Sequence, residues 1–151
     1  MHSIFDVARH ILQRYGTLPA YRLHKLTYFC QGWSLALTNE PLFANRIEAW
    51  PHGPVVVHLF AMHKGYSIKL EQVEKFARNA LTEKQIEIID AVLEMYASKS
   101  NDCLFSEICA SPPWQTAREL VAVSARGAEE ITLGAMKQHF EQLALKTLEL
   151  A

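Results

Sequence analysis

The sequence predicts a mainly α-helical fold, a single compact helical domain of five to seven helices with a small extended or hairpin element near residues 42–50. Apolar residues recur every three or four positions over most of the chain, which is the spacing of one helix face. Helix-capping residues precede several of these segments. Segments rich in strand-forming residues are few and short, so they predict only a small sheet.

Length and composition exclude several classes of protein. A chain of 151 residues fits one domain spanning residues 1–151, because cores rarely divide below about 250 residues. With 50% apolar residues and a net charge of -1, neither a disordered chain nor a uniformly cationic nucleic-acid binder fits. Three cysteines are too few for a disulfide scaffold, and their apolar neighbours favour a reducing compartment. With no leader sequence and no long apolar run, we expect a cytoplasmic protein without a membrane span.

Two helices are predicted near the N-terminus. Ser3 caps the first, which ends at Gly16, a residue suited to the conformation that follows many helices. The second spans about residues 20–37 and is apolar on most sides, which is typical of a helix at the centre of a fold. We expect Arg22 and Lys25 to form its exposed edge.

The middle of the chain predicts extended structure followed by a helix. Residues 42–43 and 47–50 are too short and too β-prone for helices, and they predict an extended pair or a small hairpin. Pro54 suits the first position of a helix, where its missing N–H is not needed. That helix is predicted over about residues 55–64.

Four further helical segments are predicted in the second half. A capping-box pattern at Thr82 predicts a helix over about residues 82–97. Shorter helices are predicted over 106–109 and 114–121. Thr132 caps the last helix of the chain.

Charge is unevenly distributed along the sequence. Residues 1–70 carry seven Lys or Arg and three Asp or Glu, whereas residues 71–151 have a net charge of -5. This asymmetry fits complementary faces of one fold, or a basic patch for an anionic partner. The second interpretation supports an alternative function as a nucleic-acid-associated regulator that uses the basic N-terminal half.

Patterns for catalysis, cofactor binding and metal coordination are missing. The sequence has no phosphate loop, nucleophile elbow, HExxH or CxxC motif. His58 and His63 are five residues apart, about 140° around a helix, which prevents chelation from one face. We therefore predict a non-enzymatic protein with no catalytic, cofactor or metal site. An enzyme acting on a small molecule would need a polar pocket around His52 or His24.

Trp50, His52 and Gly53 form the best candidate for a binding site. They concentrate a large aromatic side chain, a titratable ring and rigid backbone in one loop, and such loops often carry binding function. We predict that these three residues contact a partner, since a Trp anchor is a frequent hot spot. The loop is also expected to present backbone edges, because it follows an extended element.

Two blocks of the sequence together resemble the signature of a known family. Residues 23–33 read LHKLTYFCQGW, and residues 47–56 read IEAWPHGPVV. In this order and separation they resemble the Panacea antitoxin domain family, which includes SocA-like antitoxins and phage-associated GepA-like proteins. A third, weaker block consists of residues 106–108 and 113–114, with Cys109–Ala110 where the family often has a threonine–histidine pair.

The resemblance, which covers about residues 5–145, implies a function in binding. Such domains neutralise toxins encoded beside them, so the implied partner is a cognate protein toxin from a neighbouring gene in a type II toxin–antitoxin system. A variant of this function is a proteolytic adaptor that delivers the toxin to a bacterial AAA+ protease. No nucleic acid, membrane or cofactor is implied.

Overall fold

A computed structural model describes residues 2–63, 65–124 and 128–150 of the chain, and helices dominate this part. The described helices are α1 (Ile4–Tyr15), α2 (Ala20–Thr38), α3 (Val57–Ala61), α4 (Leu70–Glu74), α5 (Glu83–Tyr96), α6 (Asn101–Cys109), α7 (Pro112–Ser124) and α8 (Leu133–Leu150). Strands β1 (Leu18–Pro19) and β4 (Ser67–Ile68) form one antiparallel pair, and β2 (Ile47–Trp50) and β3 (Gly53–Val56) form another. The mainly α class is confirmed. The predicted range of five to seven helices is too low for the described residues, because α3 and α4 are five-residue helices.

Helix α2 lies at the centre of the fold, as its sequence predicts. Every residue from Leu23 to Leu35 is buried. The helix packs most extensively against α8, α5 and β3, so it is covered from several sides. None of the described helices is both long enough and apolar enough to cross a membrane.

The predicted helix caps are present. The backbone N–H of Ser3 donates to the Asp6 carboxylate at 3.1 Å, which completes a capping box at the start of α1. Gly16 follows α1 with a φ of 76°, a conformation that glycine adopts without steric cost. The hydroxyls of Thr82 and Thr132 each accept from the backbone N–H three residues on, at 3.2 and 3.1 Å.

The hairpin lies further along the chain than the sequence analysis predicts. Residues 42–43 form no strand, and the backbone N–H of Leu42 donates to Gln31 instead. β2 pairs with β3 across a two-residue turn, and this short connection closes with little loss of chain entropy. Pro54 therefore lies in β3 opposite Ala49, rather than at a helix start, and α3 is shorter than the predicted helix.

Two helices in the second half begin earlier than predicted. α6 starts at Asn101 because the Ser100 hydroxyl accepts from the backbone N–H of Cys103 at 3.1 Å and caps it. α7 starts at Pro112, since proline is tolerated in the first helical turn. The apolar neighbours of Cys103 do not bury it, and its side chain is exposed.

Gly32 marks the closest approach of α8 to α2. A Cβ added at Gly32 would overlap the ring of Phe140, which is fully buried. The missing side chain at this position therefore lets the aromatic ring pack directly on the α2 backbone.

We expect Gly32→Ala to destabilise the protein by about 2 kcal/mol, because overpacking outweighs the higher helix propensity of alanine. Gly134→Ala in α8 is the control, since nothing lies within 4 Å of its added Cβ. Urea unfolding of both variants measures the difference. A Gly32→Ala variant as stable as the control would show that Phe140 does not occupy this position.

Candidate functional site

The predicted binding residues lie at the tip of the β2–β3 hairpin. Trp50 is half-buried, and its indole N–H donates to the Glu48 carboxylate at 2.9 Å. The Trp50 ring meets the ring of Phe60 edge to face, with centroids 4.8 Å apart. His52 is exposed in the turn between the strands. The hairpin thus holds an aromatic and an imidazole side chain at the surface on a short, paired backbone.

Gly53 has a conformational role in the hairpin. It is buried at the start of β3, with a φ of 142° that strongly favours glycine. A Cβ at this position would lie 3.5 Å from the ammonium nitrogen of Lys25. Gly53 is therefore favoured by its backbone conformation, and a Cβ here would make ordinary contact with the lysine beneath the hairpin.

Lys25 is buried, which corrects the prediction that it forms an exposed edge of α2. Only 4% of the residue is exposed. Its ammonium nitrogen lies 5.0 Å from the ring centroid of Tyr21 and 5.6 Å from that of Phe105, within range of cation–π attraction. No described carboxylate forms an ion pair with it. Burial lowers the pKa of Lys25, and the nearby positive charge of Arg22 lowers it further, whereas Cys109 and Asp102 act in the opposite direction.

His24 is also buried, at 3% exposure, and only one of its ring nitrogens has a partner. The Nδ1 atom accepts a hydrogen bond from the backbone N–H of Val56 in β3 at 3.0 Å. The Nε2 atom has no hydrogen-bond partner among the described residues. Burial lowers the pKa of His24 to about 3, with smaller contributions from His63 and Lys25, so the imidazole is neutral near pH 7.

These groups surround a cavity of about 110 Å³ between α2 and the hairpin, here called the hairpin cavity. Tyr21, His24 and Lys25 line it from α2, and residues 50–55 line it from the hairpin. The lining of this cavity is mainly apolar, so it is not the polar pocket that an enzyme would need around His24. A histidine with a pKa of about 3 is a poor general base near pH 7, so this arrangement favours binding over proton transfer.

Aromatic side chains that are at least partly exposed lie around the hairpin cavity. We call Tyr21, Trp50, Phe60 and Tyr66 the aromatic patch. Phe60 and Tyr66 are 48% and 66% exposed, and the hydroxyls of Tyr21 and Tyr66 form a hydrogen bond of 2.8 Å. Sequence analysis missed Phe60 and Tyr66, because only the tertiary fold brings Phe60 next to Trp50 of the hairpin and Tyr66 next to Tyr21 at the start of α2.

The backbone edge of β2 is not available to a partner, contrary to expectation. Its second edge pairs with a later segment of the chain. The Ala49 N–H donates to the Glu129 carbonyl at 2.9 Å, and the Ile131 N–H donates to the Ile47 carbonyl at 2.8 Å. The hairpin therefore offers side chains rather than a free strand edge.

Several basic side chains of the N-terminal half are engaged within the fold. Arg14 pairs with Asp90 at 2.9 Å, and the Arg46 guanidinium pairs with Glu48 at 2.7 Å. Arg22, half-buried rather than exposed, donates to the side chain of Asn101 and to a backbone carbonyl. The positive charge of this half is partly neutralised locally, which weakens the case for a basic nucleic-acid surface. Lys64 lies outside the described residues.

The histidines of the middle segment do not converge on one point. His52 is exposed in the turn, whereas His58 contacts the Asn45 amide at 3.0 Å and packs against Phe5. His63 lies beside His24, with ring centroids 6.1 Å apart. Within the described ranges, no three His, Cys, Asp or Glu side chains form a group that could hold a metal ion.

A larger cavity of about 360 Å³ lies on the other side of α2, against α5 and α8. Its lining is mainly aromatic and apolar. The buried hydroxyl of Tyr28 faces this cavity and makes no hydrogen bond of good geometry among the described residues. Burial raises the pKa of Tyr28, and Ser111, which is close to this hydroxyl, acts in the opposite direction.

Comparison with known proteins gives one match. The family described as "Antitoxin SocA-like, Panacea domain" matches residues 23–115, more than half of the chain. The chain belongs to this family. No curated protein and no solved structure matches it. The matched range contains His24, Lys25 and the whole hairpin, while α1 and α8 lie outside it, so the match is shorter than the resemblance over residues 5–145.

We expect His24→Asn to reduce the acid sensitivity of the fold, because asparagine offers an acceptor near the Nδ1 position but does not ionise. The unfolded chain takes up a proton at His24 below pH 6.5, whereas the folded chain resists protonation until about pH 3. Stability due to this residue is complete above pH 6.5 and is lost as the pH falls towards 3. The unsubstituted protein should lose about 2–3 kcal/mol through His24 between pH 7 and 4.5.

Urea unfolding at pH 7 and pH 4.5 measures this loss. The control is His52→Asn at the exposed hairpin tip, which should retain the pH dependence of the unsubstituted protein. Equal pH dependence in His24→Asn and His52→Asn would contradict the assignment of this acid sensitivity to His24.

Proposed function

We propose that this protein is the antitoxin of a type II toxin–antitoxin system, and that it neutralises a cognate protein toxin by direct binding. The toxin is the product of a neighbouring gene. Membership of the SocA-like Panacea family supports an antitoxin role that depends on binding rather than catalysis. The proposed contact surface is the hairpin tip, where Trp50 and His52 lie next to the buried Gly53, together with the aromatic patch.

The observation that carries this proposal is the exposure of aromatic side chains around the hairpin. Contiguous apolar surface on a protein commonly marks an interaction site, and Trp and Tyr are enriched among the residues that contribute most to binding. The paired strands hold Trp50 in place before a partner arrives, so little side-chain entropy is lost on binding. Phe60 widens the apolar surface beside it.

The test is a pull-down with the product of the adjacent gene. That gene should inhibit growth when expressed alone, and co-expression of this protein should restore growth. Phe60→Ala should weaken the complex by about tenfold or more, as expected for an exposed aromatic at an interface. Leu145→Ala is the matched control, since Leu145 is 62% exposed on α8 and outside the patch. An untoxic neighbour, or two proteins that do not associate, would contradict the proposal.

Delivery to a bacterial AAA+ protease is a separate mode of the same antitoxin function. An adaptor shortens the lifetime of the toxin in cells, whereas simple masking leaves it unchanged or longer. We expect masking, because a preformed aromatic surface is suited to stable contact. Toxin half-life after translation arrest, with and without this protein, measures the difference. A shorter half-life in its presence would favour the adaptor.

A further inference from the structure

We infer that the hairpin cavity binds a carboxylate group, supplied in the complex by an acidic side chain of the bound protein. This inference rests on the protein-binding function proposed above and specifies the chemistry of the same site. The argument has four parts: a buried cation without an anion, a buried donor without an acceptor, the size of the cavity, and the polarity of α2.

Lys25 provides the cation. A buried charge is costly unless it is paired, and elsewhere in the described chain basic side chains do find carboxylates. Arg14 pairs with Asp90, and the Lys99 ammonium pairs with Glu107 at 2.8 Å, although both basic residues are far more exposed than Lys25. The ammonium of Lys25 contacts the faces of two aromatic rings, and Asp102 acts on it without forming an ion pair. It has no ion pair with a described carboxylate, although buried charges are normally paired.

His24 provides a hydrogen-bond donor in the same cavity. Because its Nδ1 atom accepts from the Val56 N–H, the neutral ring carries its proton on Nε2. That N–H is buried and has no acceptor among the described residues. Buried donors are nearly always satisfied, so an unsatisfied one in a cavity wall indicates a missing acceptor. An ammonium and an imidazole N–H are both donors from which a carboxylate can accept.

The size of the cavity limits what can enter. A volume of about 110 Å³ holds a carboxylate on a short aliphatic stem, whereas drug-sized ligands and cofactors occupy about 300 Å³ or more. A chain-terminal carboxylate is usually captured by a series of free backbone N–H groups. Here the backbone N–H of Val56 is already bonded to His24. An aspartate or glutamate side chain is therefore the better fit.

The polarity of α2 favours the same ligand. Tyr21, His24 and Lys25 lie in the first two turns of this long helix, where the helix dipole is positive. The first turn of α2 contains no acidic residue that would offset this charge. An anion in the hairpin cavity therefore meets positive potential mainly from Lys25, since the dipole effect falls off beyond the first turn, where Tyr21 lies.

Acetate, the smallest suitable probe, tests the cavity without any toxin. In an NMR titration at pH 7, with chloride keeping the ionic strength constant, acetate should produce saturable shifts of the Lys25 side-chain resonances and the Val56 amide. The resonances of Lys84, an exposed lysine of α5, should not shift. Shifts that do not saturate, or that equal those caused by chloride, would overturn the inference.

Variants and matched probes sharpen the result. Lys25→Met should bind acetate about tenfold more weakly or worse, while Lys84→Met should bind as the unsubstituted protein does. Replacing an unpaired buried charge by an apolar side chain is not expected to prevent folding. N-acetylglutamate amide, which has only a side-chain carboxylate, should bind better than N-acetylglutamine, which has only a terminal one. The reverse order would overturn the side-chain assignment.

The two proposals can fail separately. If the neighbouring gene product binds but acetate does not, the carboxylate pocket is wrong and the antitoxin function stands. If acetate binds but no toxin associates, the pocket is correct and its proposed partner is wrong. When both hold, Lys25→Met should weaken the complex by about tenfold relative to Lys84→Met. Equal binding by the two variants would overturn the link between the pocket and the partner.

Discussion

Water is excluded from α2 between Leu23 and Leu35, so a polar side chain in this run is satisfied only if it finds a partner inside the protein or in a ligand. Gln31 does so with three hydrogen bonds: its amide donates to the Phe43 carbonyl, and its oxygen accepts from the N–H of Phe43 and of the residue before it. The Ser34 hydroxyl donates to the Glu40 carbonyl at 2.8 Å. These bonds hold the segment after α2 against the helix and set where β2 begins.

The need of buried polar groups for partners also positions the candidate site. The Nδ1 atom of His24 accepts a hydrogen bond from the N–H of Val56, and Gly53 lies directly above Lys25. Trp50 then lies at the edge of the contact between the hairpin and α2, where it is half-buried and packs against Phe60. The hairpin is thus seated on polar groups of a buried helix, and the cavity between them is a direct product of this packing.

Sequence patterns predicted those features of the fold that depend on neighbouring residues. The capping boxes, the end of α1 at Gly16 and the central position of α2 follow from local spacing and were confirmed. The hairpin partner could not be predicted in this way, because Pro54 is equally compatible with a helix start and with a short outer strand. Only the pairing of Pro54 with Ala49 decides between the two, and that pairing depends on packing against α2.

Lys25 shows most clearly where local interpretation fails. A lysine is normally exposed, so the sequence predicts that Lys25 lies at an exposed edge of α2. A helix that is apolar on most sides, however, has little exposed surface. The two observations conflict, and such conflicts between local preference and fold are expected at functional sites. An apolar side chain would fill the same space without the penalty of an unpaired charge. An ammonium that lies beside Gly53, with two aromatic rings and no carboxylate within ion-pair distance among the described residues, is therefore better explained by a ligand than by the stability of the fold.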